Sequence, residues 1–497
     1  MAVIGLDMGS TGCKASVFTP DGTLIDSVYR EYPKRAELGE RMFFAEDLFS
    51  AAMEVLSGAC AKHPDVTALG VTSFGESFAC LDQNDRVLFP SFLYTDPHGG
   101  EEAEFLAGKI GRETLTAAVG IAPHSMFSLP KLLYLKRQNE TAFSGVRRIL
   151  LMQDFLVYRL TGEAMIEEAL ASRTMGYDVG AHTWYRPVWE AAGIDPAMLS
   201  RPVPAGTVAG KLRPALAKEW NLPREMTVVV AAQDQIAAAL GAGVLHAGEA
   251  VDGCGTVECV TPVFRWGEEP FPLCREGFPL VPFPGRERLH ATYALSYSHG
   301  SALKWFRDRF GGQFCEAAAK AGENVYAYLD ARIPTEPTKI LVMPHFGGAA
   351  TPYMDPHSRA AVLGLTLEST AFDLYRAIME GCAMEMRISL ERLSAAGIPV
   401  RQLVATGGGA QKAWLQIKAD VFGLPMTRLT ATDGGCAGTA MLAAVGGGLY
   451  QNPEAAAEAF VRRGETYEPD PERQKIYEEQ FAHYREIYSA VRHLMES

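Results

Sequence analysis

Two glycine-rich strand ends, half a chain apart, constrain this sequence more than any other feature. The apolar run 2–6 breaks at Asp7-Met-Gly-Ser-Thr-Gly12, resumes as Ala15-Ser-Val-Phe18, and turns at Pro20-Asp-Gly22. Much later, Glu249-Ala-Val251 runs into Asp252-Gly-Cys-Gly-Thr256 and continues as Val257-Glu-Cys-Val-Thr261. Each stretch reads as a β-hairpin with a glycine-rich tip. In both, Asp precedes Gly and then Thr, with Asp and Thr four apart, and the offset is 252 − 7 = 245 residues. Such a repeat at the start of each half predicts two related domains facing one another. The length agrees, because at 497 residues a chain exceeds the roughly 250–300 residues at which single cores stop growing. The boundary is placed in the small-residue stretch 241–248, giving domains 1–245 and 246–497.

Composition narrows the partners. Hydrophobic residues make up 48% and charged residues 21%, as in ordinary folded domains. The 46 Lys and Arg against 59 Asp and Glu leave a net charge of −13. That argues against nucleic acid or a membrane surface, which need clustered basic groups. It leaves room for an anionic nucleotide held by backbone N–H groups and a metal. Nine cysteines without Cys-x-x-Cys spacing read as buried thiols of a cytoplasmic protein rather than a zinc site or redox dithiol. The opening Met1-Ala-Val-Ile-Gly-Leu-Asp7 meets an acidic residue before a signal-peptide core forms, and no run approaches the length of a membrane span.

Between the tips the pattern is mixed α/β. Helices are expected over 45–61, 129–138, 235–240 and 371–396, and strands over 66–73, 227–232, 339–343 and 401–405. Ile476, Phe481, Tyr484, Tyr488 and Val491 recur at helical spacing and predict a docked amphipathic C-terminal helix.

An Asp-x-Gly-x-Thr-Gly tip suits a phosphate site. Glycines at 9 and 12 let backbone N–H groups approach phosphate oxygens, Ser10 and Thr11 add hydroxyls, and Lys14 adds a point charge. Asp7 suits Mg²⁺ held through water. Taken alone, the same residues equally describe an ordinary tight turn. Asp234, in Ala231-Ala-Gln-Asp234-Gln235 before an apolar helix, likewise reads alone as a helix N-cap.

Four segments in order then carry a resemblance. Met126-Phe-Ser-Leu-Pro-Lys-Leu-Leu-Tyr-Leu135 resembles the first signature of the FGGY carbohydrate kinases, with Tyr134 where Trp is usual. Ala360-Ala-Val-Leu-Gly-Leu365 with Asp373-Leu-Tyr-Arg-Ala-Ile-Met-Glu380 is similar to the second. Gly407-Gly-Gly-Ala-Gln-Lys-Ala-Trp414-Leu-Gln416 through Pro425 resembles the adenosine segment, and the paired tips complete the set. The resemblance implies two ribonuclease-H-like α/β domains of the actin/hexokinase type, flanking a cleft. It implies ATP and Mg²⁺, with phosphates at Gly9, Ser10, Thr11, Gly12, Lys14, Gly255 and Thr256. Adenosine would lie at Gly408, Gly409, Ala410 and Lys412, with Asp7 on the metal side. It makes Asp234 the catalytic base as well as a cap, because phosphoryl transfer needs a carboxylate to take the acceptor's proton.

For the acceptor, the resemblance points to Glu76, Asp96, Asp234 and Gln235. Glu76 matches the Glu of glycerol kinases, but Gly75 stands at their Arg. Tyr94-Thr-Asp96-Pro-His98 resembles the Trp-x-Asp-x-Arg segment of xylulokinases and gluconokinases, with His98 at the Arg. Ala349-Ala350 replace a Glu-Arg pair of many xylulokinases. Carboxylates suit vicinal hydroxyls, and without a basic neighbour they would repel an anion. The expectation is therefore a neutral acceptor, a ketopentose such as xylulose, ahead of another ketose, a polyol such as glycerol, or gluconate. The rival is a catalytically idle sugar-binding or assembly protein. Assembly as a homodimer is a further expectation.

Overall fold

The computed structural model describes all residues except 223–224, 268, 286–287, 431–433 and 496–497. Its plan is one sheet pattern used twice. In the first sheet the strand order is Thr207–Lys211, Thr227–Val230, Val66–Ser73, Ala2–Met8, Gly12–Phe18, Leu24–Glu31. The successive pairings are antiparallel, parallel, parallel, antiparallel and antiparallel. In the second sheet Arg463–Tyr467, Met426–Leu429, Gln402–Thr406, Glu249–Cys254 and Glu258–Arg265 follow in line. Short strands Leu289–Ala291 and Ala294–Ser296 lie on the far side of the last. The pairing directions run in the same sequence. The 245-residue offset thus has a three-dimensional counterpart, since Ala2–Met8 and Glu249–Cys254 hold the same place in their sheets.

Central strands flanked on both faces read as continuous apolar runs. Val66–Ser73 is buried at seven of its eight positions, and Thr227–Val230 at all four. The expected helices form at Ala45–Lys62, Ser128–Gln138, Asp234–Gly241 and Ala371–Ala395. The C-terminal helix is Pro471–Val491. Its buried stripe is Tyr477, Phe481, Tyr484 and Ile487, while Ile476 is exposed.

Helix Gly434–Gly446 reaches from the second half onto the first sheet. It packs against strands Ala2–Met8 and Val66–Ser73 and against helix Asp234–Gly241. The approach is backbone on backbone. A Cβ at Gly5 would stand 2.0 Å from the Cys436 carbonyl oxygen, and at Gly438 1.9 Å from that of Ala237. A Cβ at Gly70 would stand 2.5 Å from the Thr439 oxygen. No other residue fits at these crossings.

Candidate active site

Parallel strands end on a common edge, so the loops that follow them meet. Asp7 and Thr72 are paired neighbours, as are Val71 and Val230. Tip 9–12, loop 74–77 and turn 231–234 therefore share one edge of the first sheet. Tip 254–256 and loop 407–410 share the matching edge of the second.

Asp234 opens helix Asp234–Gly241, and its Oδ1 accepts from the Gln235 backbone N–H at 2.7 Å. The cap of that helix is Gln233, whose Oε1 accepts the same N–H at 3.1 Å. The carboxylate is half-buried, and burial raises its pKa to about 8. The charge of Asp7 adds to the rise and Glu76 adds further, while Arg173 opposes. The sequence-expected Asp7 and Glu76 thus both act on Asp234.

Glu76 is buried and holds φ at +67°, a conformation a non-glycine residue adopts at a cost. Arg173 supplies a compensating contact. Its Nε and Nη2 donate to Glu76 Oε1 at 2.7 and 2.5 Å. The guanidinium lies 5.0 Å from the Phe127 ring centre and 5.9 Å from that of Tyr293. The expectation of carboxylates without a basic neighbour is therefore wrong. A Cβ on Gly75 would meet Arg173 Cγ at 3.5 Å. The cation absent from position 75 arrives from the end of helix Glu168–Ser172, about a hundred residues away in sequence. Adjacent positions do not reveal such a partner. The only trace in the sequence was an Arg in an otherwise small-residue stretch, Ala169-Leu-Ala-Ser-Arg173.

Asp96 is buried but committed to its own loop. Its Oδ1 accepts from the His98 backbone N–H at 3.0 Å and pairs with His98 Nδ1 at 2.8 Å. Lys131 Nζ, fully buried, lies 4.0 Å away and donates to the Asp96 carbonyl. Burial lowers the Lys131 pKa to about 8, and the charges of Asp96 and Glu76 oppose that. Here too a basic group stands where none was expected. Gln235 is exposed beside Asp234.

At the first tip Gly9 N–H donates to the Gly12 carbonyl at 3.0 Å, and Ser10 and Thr11 are exposed. Lys14 sits opposite Asp7 in the hairpin register, so the two side chains leave the same face. The second tip has a different chemistry beneath it. Asp252 is fully buried, and Lys418 Nζ binds Asp252 Oδ2 at 2.7 Å and Glu258 Oε1 at 2.6 Å. Asp252 therefore does not repeat Asp7 as a cleft carboxylate. Gly255 and Thr256 remain exposed above this pair. Gly409 N–H donates to the Cys254 carbonyl at 2.8 Å, which locks loop 407–410 onto the tip. Gly408 is exposed there, Ala410 is buried in the core, and Lys412 is exposed, 3.8 Å from Glu465. His299 stacks on Trp414 at 3.7 Å and its Nδ1 lies 3.2 Å from the Gly255 carbonyl.

Among the described residues no helix is long and apolar enough to cross a membrane, and no group of three or more His, Cys, Asp or Glu is set to hold a metal.

Paired sheets with phosphate-type hairpin tips and a half-buried Asp on one edge define a ribonuclease-H-like ATPase fold. Known proteins specify it further. Models of the N- and C-terminal domains of the FGGY family of carbohydrate kinases match residues 2–241 and 280–447. The chain belongs to that family and is a sugar kinase. It is 26% identical to the xylulose kinase of Bacillus subtilis, over 99% of this chain and 97% of that protein. It is 23% identical to the gluconokinase of the same organism, over 94% and 91%. The crystal structure of the xylulose kinase from Rhodospirillum rubrum shares the fold with a TM-score of 0.89, 24% identity and full coverage of both chains.

Proposed function

We propose that the chain phosphorylates a hydroxyl of a ketopentose such as xylulose, with ATP as donor and Asp234 as base. The observation that carries the base is the placement of Asp234. Its carboxylate feels Asp7 on the nucleotide side and Glu76 with Arg173 on the acceptor side. A raised pKa makes the ionised carboxylate a stronger proton acceptor. The similarity to xylulose kinases supports the acceptor. Tips 9–12 and 255–256, with Lys14, would hold phosphates, the Gly9 and Gly255 N–H groups bracing the tips themselves. Gly408 and Gly409 would bound the adenosine pocket, with Ala410 contributing backbone and Lys412 at the rim. Residues 1–245 and 246–497 are taken as the halves that close on the substrates.

Asp7 fits Mg²⁺. A small hard cation keeps waters and phosphate oxygens and needs only one or two carboxylates, and Asp7 is a single carboxylate whose charge already presses on Asp234. When bound, Mg²⁺ supplies charge compensation for the phosphates. Asp234 then takes the proton of the acceptor hydroxyl while Glu76 and Arg173 orient that hydroxyl's neighbours.

Arg173 favours a second reading, an aldonate such as gluconate. Paired with Glu76, it removes the repulsion that bare carboxylates would impose on an anion. A side-by-side measurement of kcat/KM for xylulose, other ketoses, glycerol and gluconate decides between them, with xylulose expected highest. Gluconate as the best acceptor would overturn the ketose reading. Asp234→Asn should lower turnover by roughly 10²–10⁴-fold, the range for loss of a general base, while ATP still binds. Retention of more than about a tenth of turnover would remove Asp234 from that role, and no turnover on any acceptor would favour the idle protein.

A further inference from the structure

Gln233, the residue before the proposed base, is held from three directions. Its backbone N–H donates to Glu167 Oε2 at 3.1 Å, and the same buried carboxylate caps helix Glu168–Ser172 through the Ala169 and Leu170 N–H groups. Its side-chain Oε1 accepts from the Gln235 N–H and, at 3.0 Å, from the hydroxyl of Tyr293. Its Nε2 donates to Asp234 Oδ1. Tyr293 belongs to the other sheet, between strands Leu289–Ala291 and Ala294–Ser296. Its ring also faces the Arg173 guanidinium that binds Glu76.

These contacts make a chain across the two halves. A primary amide has one acceptor oxygen and one donor nitrogen. With Oε1 taken by Tyr293 and Gln235, Nε2 must face Asp234. That fixes Oδ1 in the wall and leaves Oδ2 as the oxygen for the acceptor's proton. Tyr293 reaches this arrangement from the second sheet, where Leu289 and Ala291 share a buried cluster with Ile236, Ala237 and Leu240 of helix Asp234–Gly241.

We propose that Tyr293 and Gln233 form a latch between the two halves that positions the Asp234 carboxylate. Tyr293, carried by the nucleotide half, is a positioning residue for the base on the acceptor half. Burial also pushes the Tyr293 pKa well above its usual value, so its hydroxyl keeps the proton it donates. The latch rests on the reading of Asp234 as base.

The test is a kinetic cycle of Tyr293→Phe, Gln233→Ala and the double variant, measured on the full chain with its best acceptor. Phenylalanine keeps the ring beside Arg173 and removes only the hydroxyl. Tyr293→Phe is expected to lower kcat by about 10- to 100-fold, a size typical of small misplacement in a reacting pair. KM for ATP and the melting temperature should stay near wild type, and the double variant should be no slower than Gln233→Ala alone. Wild-type kcat in Tyr293→Phe, or losses that multiply in the double variant, would overturn the latch. An effect on KM alone would do the same, making Tyr293 an ordinary acceptor contact. Asp234→Asn separates the two readings. If it is inactive while Tyr293→Phe is fully active, only the latch falls; if Asp234→Asn is active, the base falls with it.

Discussion

At the scale of the residue, the site is governed by how few charges balance many. Asp7, Glu76 and Asp234 share one edge, and Arg173 is the cation that opposes them at Asp234. The proposed base works only when ionised, so kcat/KM should fall on the acid side of a limb set by Asp234. Glu76→Gln removes a repelling charge and should move that limb to lower pH. Arg173→Met removes an attracting charge and should move it to higher pH. A pH profile in which both variants move the limb the same way would contradict the arrangement. The shift also carries a stability consequence. Asp234 keeps its proton in the folded state up to about pH 8, whereas unfolded it loses it near pH 4. Stability is therefore lost between those values as pH rises. Asp234→Asn should melt higher than wild type above pH 8 and equally near pH 4, as differential scanning calorimetry would show.

At the scale of the element, the two hairpins share geometry and differ in what lies beneath them. Under the second tip, one buried Lys418 serves two buried carboxylates, Asp252 and Glu258, and burial pushes Glu258 toward its neutral form. Removing the cation leaves acids without a partner in a dry core. Lys418→Met should cost about 3–5 kcal/mol, the usual penalty for breaking a buried pair. Urea unfolding showing a loss under about 1 kcal/mol would contradict it. The periodic elements were legible in the sequence because burial sets their pattern. Strand Val66–Ser73 lies where the apolar run put it, and helix Ala371–Ala395 differs from expectation by one residue. The carboxylates of the proposed site were read from loop motifs. Arg173, Lys131 and Tyr293 were not, because each reaches its partner across tertiary space rather than along the chain. Asp252 shares the motif of Asp7, and only the depth of Lys418 in the fold gives it a different surrounding.

At the scale of the whole molecule, the proposed site lets the two loop edges act on one substrate pair only if the halves close. Such closure would also exclude water from the transferred phosphoryl group. Small-angle scattering should show a smaller radius of gyration with a non-hydrolysable ATP analogue and sugar together than without ligand. An unchanged radius at saturation would argue against a closing cleft. The glycine crossings beneath helix Gly434–Gly446 carry a consequence for biosynthesis. Val3, Phe18 and Ala68 of the first sheet are covered by Ala437, Ala440, Met441 and Ala444 of that helix. A ribosome making ~5–20 residues per second needs roughly 10–40 s to travel from strand Thr227–Val230 to the end of the helix. Through that interval the apolar face formed by Val3, Phe18 and Ala68 waits for a cover that has not yet been translated.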